Sequence, residues 1–268
     1  MKLEVKDLSF SYGLRSARPQ SFGDQKVLNG VSFSAGDGEI IFFLGPNGVG
    51  KSTLFKCMLG FLKPQGGEVL INGKNALSYR RQDLSKILAY IPQSYSPVFN
   101  HTVLDSVLMG VTSQLGVFEM PGKEHVEKAL EVMKELGIEH LSDRGSMKIS
   151  GGERQLMLLA RAMVQDASLF VMDEMAANLD FGNSFRVMQR VLQLRDKGYT
   201  MLISTHNPDH AFRYASRVIA MKDGELLADG KPEDVLTEEV MESLYSIDVA
   251  VNTVNVGKSQ YKVCTPVF

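Results

Sequence analysis

The sequence predicts an α/β protein: a parallel sheet buried between helices, with an antiparallel β layer at its N-terminal end and an inserted helical stretch. Three observations predict it. The runs Glu39–Leu44, Leu169–Met172 and Thr200–Ser204 are short, almost wholly apolar and free of alternation. Buried parallel strands have this look because helices cover both faces of their sheet. Helical patterns separate the runs, as a crossover topology requires. The N-terminal segments Leu3–Ser11, Lys26–Ser34 and Glu68–Asn72 are strand-like and divided by turn residues such as Gly66-Gly67 and Asn72-Gly73, which suits antiparallel pairing.

In chain order, residues 13 to 25 are rich in Ser, Gly and Arg and read as an exposed loop. Glu39–Leu44 ends at a glycine-rich turn, and Ser52–Gly60 reads as the helix that follows. Residues 88 to 163 read as mainly helical. Val126, Ala129, Leu130, Met133 and Leu136 share one helical face, Gly137 is placed to cap it, and Lys128, Glu131, Lys134 and Glu135 fall on or near the solvated side. From Ile247 onward the pattern alternates weakly. The reading is one domain over residues 1–245 (a core with its β layer at about 1–87 and 164–245, helices at about 88–163) and a tail at 246–268.

Composition excludes several classes. The 268 residues carry 29 Lys plus Arg against 31 Asp plus Glu, a net charge of −2. No basic footprint exists for general nucleic-acid binding, so no nucleic-acid partner is expected. Apolar residues make up 44%, enough for a packed core and against disorder. The longest apolar runs fall far short of the roughly 18 residues that cross a bilayer. The first seven residues hold no apolar leader core, so no signal peptide is expected. Cys57 and Cys264 form no metal-binding spacing and read as free thiols of a reducing compartment.

Gly45-Pro46-Asn47-Gly48-Val49-Gly50-Lys51-Ser52-Thr53 fits G-x-x-x-x-G-K-[ST] between a strand and a helix. Glycines allow the backbone to curl so that successive N–H groups converge on a phosphate. The helix start adds its positive dipole end. Lys51 supplies a mobile charge for the β and γ phosphates, and the Ser52 hydroxyl is placed to bind Mg²⁺. The pattern arises by chance roughly once in a hundred chains of this length, and its strand–loop–helix setting makes chance rarer.

Leu169–Met172 runs into Asp173-Glu174. Alone, this is a common strand end with solvated acids. Beside a phosphate loop it gains a role: an aspartate at a strand's carboxyl end can hold Mg²⁺ through water. The adjacent glutamate can polarise an attacking water. Upstream, Ser150-Gly151-Gly152-Glu153-Arg154-Gln155 opens an amphipathic run, Arg154–Val164. Read alone it is a capped helix. It also offers a hydroxyl, two bare glycine N–H groups and a helix N-terminus, which make a second anion cradle.

These residues together resemble the ATP-binding subunit of an ABC transporter, over about residues 1–245. The 150–155 stretch matches that family's signature, with Ile149 where leucine is usual. In order, Tyr12 matches the aromatic that stacks on adenine, and Gln93 the glutamine that contacts Mg²⁺ and the attacking water. Asp180 matches the loop aspartate that meets a partner subunit, and His206 the histidine at the γ-phosphate. After Asp173-Glu174 the family usually has Pro-Thr; here it is Met175-Ala176.

The resemblance implies a RecA-like P-loop NTPase core carrying the antiparallel β subdomain and an inserted helical subdomain. Its cofactors are ATP and Mg²⁺. Glu174, His206, Gln93 and Lys51 would be catalytic. Tyr12, Gly45, Asn47, Gly48, Gly50, Lys51, Ser52, Thr53, Ser150, Gly151, Gly152 and Asp180 would hold nucleotide, and Ser52, Gln93 and Asp173 the metal. It also implies a second ATP-binding subunit, a homodimer paired head to tail, so that Ser150 and Gly152 act across the interface. Two membrane-spanning permease subunits would dock near residues 94–110 at the cytoplasmic face of the membrane, with an extracytoplasmic substrate-binding protein beyond them. The segments 178–183 and 206–211 and the 244–249 stretch resemble importers of iron–siderophore, haem, cobalamin or molybdate. The alternatives are another ABC importer or exporter, and a soluble ABC ATPase of the iron–sulfur cluster assembly kind.

Overall fold

A computed structural model describes residues 1–13, 26–116, 118–257 and 259–267. The loop expected at 13–25 lies, beyond Gly13, outside the described residues. The chain divides into two compact units, Met1–Ser78 with Leu202–Phe268, and Tyr79–Met201.

In the first unit, β1 (Leu3–Ser11) pairs antiparallel with β2 (Lys26–Ala35) on one side and β4 (Gly66–Ile71) on the other, and β4 pairs with β5 (Lys74–Asn75). All five residues of β3 (Ile40–Leu44) are buried. Phe43 shows why the run must be apolar throughout. Its ring meets Phe33 of β2 edge-to-face at 5.1 Å and Phe55 of α1 (Lys51–Met58) at 5.3 Å. Each such buried ring contributes roughly 1.5–3 kcal/mol through burial alone.

β9 (Arg217–Lys222) runs parallel to β3, from Ile41↔Arg217 to Leu44↔Ala220. β8 (Thr200–Thr205) lies on the other side of β3. β10 (Glu225–Gly230) folds back on β9 through Asp223 and Gly224, with φ of 49° and 80°. This is the left-handed pair that a two-residue hairpin demands. α7 (Pro208–Tyr214), α8 (Pro232–Val235) and α9 (Glu238–Tyr245) follow the strands. The C-terminal segment is a regular antiparallel hairpin of β11 (Val249–Val256) and β12 (Ser259–Pro266), paired from Val249↔Pro266 to Val256↔Ser259. The weak alternation past Ile247 therefore marks real strands, of which one side rests on α7.

The second unit holds β6 (Leu88–Ile91) and β7 (Leu169–Met172), paired in parallel from Leu88↔Leu169 to Ile91↔Met172. Residues 88–91 thus correct the helical reading of 88–163 at its start. Four apolar residues carry no period that separates a strand from a helix. The long elements of the rest are helices joined by loops: α3 (Val103–Leu108), α4 (Lys123–Glu135) and α5 (Gly151–Met163), with α3 and α4 packed on α5. α2 (Arg81–Ser85) precedes β6, and α6 (Phe181–Asp196) follows β7. On α4, Ala129, Met133 and Leu136 are buried, and Gly137 ends the helix at φ 77°. Lys128 does not stand alone on the wet face, because it forms an ion pair with Asp166. Among the described residues no helix is long and apolar enough to cross a membrane.

Candidate functional site

The first unit carries the phosphate loop. β3 delivers the chain to Gly45, where a Cβ would meet the Met221 carbonyl oxygen at 2.4 Å. Only glycine lets strand and loop approach so closely. Gly50 sits at φ 108° as the residue before α1, and no side chain caps that helix. A cap there would compete with an anion for the first-turn N–H groups. Asn47 and Gly48 are exposed at the loop tip, Ser52 is half-buried and Thr53 is buried. The buried Lys51 ammonium donates to the Gly45 carbonyl at 2.6 Å and to the Pro46 carbonyl at 2.9 Å. Those carbonyl dipoles compensate its desolvation, and a phosphate oxygen would exchange with them as acceptor.

Tyr12 is joined to this loop. Its hydroxyl lies 3.2 Å from Thr53 Oγ1, its ring packs edge-on to Phe10 at 4.9 Å, and 56% of it is exposed. One face is held while the other remains available for stacking. His206 follows β8 and is exposed. Its turn is closed by Asn207 N–H donating to Thr205 Oγ1 at 3.0 Å and Asp209 N–H donating to Asn207 Oδ1 at 2.9 Å. The Tyr245 hydroxyl donates to the His206 carbonyl at 3.0 Å.

The second unit brings Gln93, Asp173 and Glu174 together. β6 and β7 are parallel neighbours, so their carboxyl ends lie at one edge, and Asp173 N–H donates to the Ile91 carbonyl at 2.8 Å. Gln93 Nε2 donates to Glu174 Oε2 at 2.9 Å. Glu174 has φ 44°, a left-handed backbone that a non-glycine residue adopts only at a cost. The turn beyond it closes by Ala177 N–H donating to the Glu174 carbonyl at 3.0 Å. Met175 is buried there, so an apolar side chain anchors a turn that the family usually stiffens with proline. Asp173 is buried, and Tyr90 hydrogen-bonds to it. Burial first, then the Asp173 charge and this bond, push the Tyr90 hydroxyl up to about 12.

The signature forms the start of α5. Ser150 is the N-cap: its Oγ accepts from Glu153 N–H at 3.3 Å, and its own N–H donates to Glu153 Oε2 at 2.7 Å. The Ser150 N–H bond is the main cause holding the Glu153 carboxyl below its ordinary value. Ser150 and Gly151 are exposed, whereas Gly152 is buried. A Cβ on Gly152 would meet Asn183 Cγ at 2.7 Å. Asn183 belongs to the cap of α6: Asp180 Oδ1 accepts its N–H at 2.9 Å and Asp180 Oδ2 its side-chain amide at 2.6 Å. The Asn183 N–H bond is also the main cause keeping the Asp180 carboxyl below its ordinary value. Asp180 and Gly152 are thereby packed through one side chain.

The sequence reading missed Tyr90, Asn183 and Tyr245 as supports. Asp180 and Asn183 have the spacing of a cap residue and its partner, which is a usable signal. Nothing local marks the other two. No group of three or more His, Cys, Asp or Glu side chains able to hold a metal occurs among the described residues. Ser52 in the first unit, and Gln93 and Asp173 in the second, each carry a hard oxygen donor, the ligand type that Mg²⁺ prefers.

Comparison with known proteins agrees with this chemistry. The ABC transporter family model matches residues 28–177, more than half of the chain. A Helicobacter pylori protein named "Probable iron chelatin transport ATP-binding protein" is 35% identical, over 91% of this chain and 93% of its own. A phosphonates import ATP-binding protein of Oceanobacillus iheyensis is 32% identical, over 91% and 95%. A solved ABC transporter assigned to the metal-chelate type, in an inward-facing conformation, superposes with a TM-score of 0.86 at 26% identity, over 99% of this chain and 97% of that one. The fold is that of the ABC ATPases, a P-loop NTPase core, and the chain belongs to the ABC transporter family as one of its ATP-binding proteins, which hydrolyse ATP to power transport.

Proposed function

We propose that this chain is the ATPase subunit of an importer for a metal chelate (iron–siderophore, haem or cobalamin) or a metal oxyanion such as molybdate. The observation that carries the substrate class is the likeness to the metal-chelate type transporter across 99% of the chain, C-terminal hairpin included. The subunit works as a homodimer on the cytoplasmic face of the membrane. Two permease subunits dock near residues 94–110, where Val98 and Phe99 are 83% and 69% exposed. An extracytoplasmic binding protein delivers the cargo to them.

In the cycle we propose, Tyr12 stacks on adenine, and residues 45–53 receive the phosphates, with Lys51 at the β and γ positions. Ser52, Asp173 and Gln93 would hold Mg²⁺, which supplies charge neutralisation on the phosphate oxygens. Glu174 accepts a proton from, or orients, the attacking water, and its bond to Gln93 gives both side chains a defined starting position. His206 donates to the transferring group. Ser150 and Gly152 act on the γ-phosphate held by the other subunit. The cap leaves Ser150 able to do this: its oxygen accepts from Glu153 N–H, while the hydroxyl hydrogen can donate to phosphate. Hydrolysis removes the charge that both subunits share, and the dimer opens.

Uptake measurements test the substrate class. Cells in which this gene is replaced by its Lys51→Ala variant should lose import of one labelled metal chelate or molybdate and keep phosphonate import. Lost phosphonate uptake with intact uptake of every metal species would favour the phosphonate reading, which the Oceanobacillus relative supports.

A further inference from the structure

We infer that the C-terminal segment is a brace for the His206 turn, with Tyr245 as its positioning residue; this rests on the role proposed for His206. His206 is exposed, and two of the hydrogen bonds that shape its turn each span two positions. One of them ties the turn to Thr205, the buried last residue of β8. A bond from far along the chain comes from Tyr245, the last residue of α9, whose hydroxyl donates to the His206 carbonyl at 3.0 Å.

The chain then reverses at Ser246, at φ 56°, and enters the hairpin. β11 is tied to α9 by Val251 N–H donating to Glu238 Oε1 at 2.9 Å. β12 returns to α7, the helix that begins two residues after His206. There Cys264 N–H donates to Asp209 Oδ1 at 2.9 Å, and the Arg213 guanidinium sits 5.1 Å over the Tyr261 ring. α9, the hairpin and α7 therefore form a closed loop of contacts around the histidine turn. The contacts reach the backbone of His206 and the helix beyond it, and His206 itself is exposed. A group held in place before the reaction loses less freedom during it.

A double-mutant cycle on the purified full chain tests this. Tyr245→Phe keeps the ring and removes the hydroxyl, so ATP turnover should fall about three- to tenfold, the size of one lost hydrogen bond. The KM for ATP and the thermal midpoint should stay near wild type. In a His206→Ala background the same substitution should have no further effect. Tyr261→Leu, which removes the stacking partner of Arg213, should speed amide exchange in residues 206–214 and lower turnover in the same direction. Normal turnover in Tyr245→Phe beside impaired His206→Ala would overturn the brace alone. So would an equal loss in both backgrounds, or unchanged exchange in Tyr261→Leu. Normal turnover in His206→Ala would instead remove the role of His206, and the brace with it.

Discussion

Glu174 holds two properties that a solvated strand-end acid would not need: a left-handed backbone and a direct bond to Gln93. Strain at one residue persists only where its surroundings over-determine it, here the closed turn and the buried Met175. Glu174→Gln should therefore bind ATP normally and hydrolyse it at least about tenfold more slowly, since the positioned base is worth roughly 10²–10⁴. Nucleotide binding and phosphate release, measured on the same preparation, separate the two effects. Lys51→Ala should lose both. Cys57 makes a different prediction at this scale. Burial pushes its thiol up to about 11, so at pH 8 only roughly one molecule in a thousand carries thiolate. Alkylation of Cys57 should be slow in the native protein and rapid in denaturant. Fast native labelling would show that α1 opens.

Two helix starts carry the signature and the loop aspartate, and both are capped by groups whose ionisation matters. Glu153 and Asp180 have folded pKa values below their ordinary 4.5 and 3.8. A carboxylate with a depressed folded value stabilises the fold above its unfolded value, and that contribution is lost as pH falls through the folded value. The start of α5 should therefore hold from neutrality down to about pH 4.5 and that of α6 down to about pH 3.8, each loosening progressively below its own limit. Amide exchange at residues 150–153 reads this, and Glu153→Gln should remove the acid dependence there. Gly152→Ala presses a methyl group into Asn183, which Asp180 already holds. A cost of about 1–3 kcal/mol is expected from such overpacking, measured as a shift in denaturation midpoint.

The same elements show what sequence alone carries. The phosphate loop and the Ser-Gly-Gly stretch stand out in the sequence because anion binding would call on consecutive backbone groups, and Asp173-Glu174 because it ends a strand that is apolar throughout. β7 and β3 are legible because burial on both faces makes them apolar from end to end. β6 is not, since four residues carry no period. The hairpin is only faintly so, because most of its described residues are exposed or half-buried and burial imposes little alternation on them. Tyr90 and Tyr245 reach their partners through strand register and chain reversal, at separations of 83 and 39 residues (173 − 90 and 245 − 206). No local pattern encodes such separations.

At the scale of the whole molecule, the sequence offers two candidate anion cradles, of which the one at 45–53 carries the lysine. In the proposed head-to-tail pair each cradle would meet a nucleotide. Apolar side chains in the proposed docking segment give the permeases a surface. Phe99→Asp should abolish co-purification with the permease while ATP hydrolysis by the isolated subunit continues, because the residue is exposed and lies outside the phosphate loop and the signature.

The most direct measurement mixes two inactive variants. Ser150→Glu damages the cradle and Glu174→Gln the acid that works on water, so each homodimer should be nearly silent. If the site is built from two chains, the mixed dimer contains one intact composite: Glu174 from one subunit facing Ser150 from its partner. ATP turnover should then reappear on mixing and rise with the fraction of mixed dimers. Turnover that stays at the level of the separate variants, with mixed dimers demonstrably present, would contradict a nucleotide shared between two subunits.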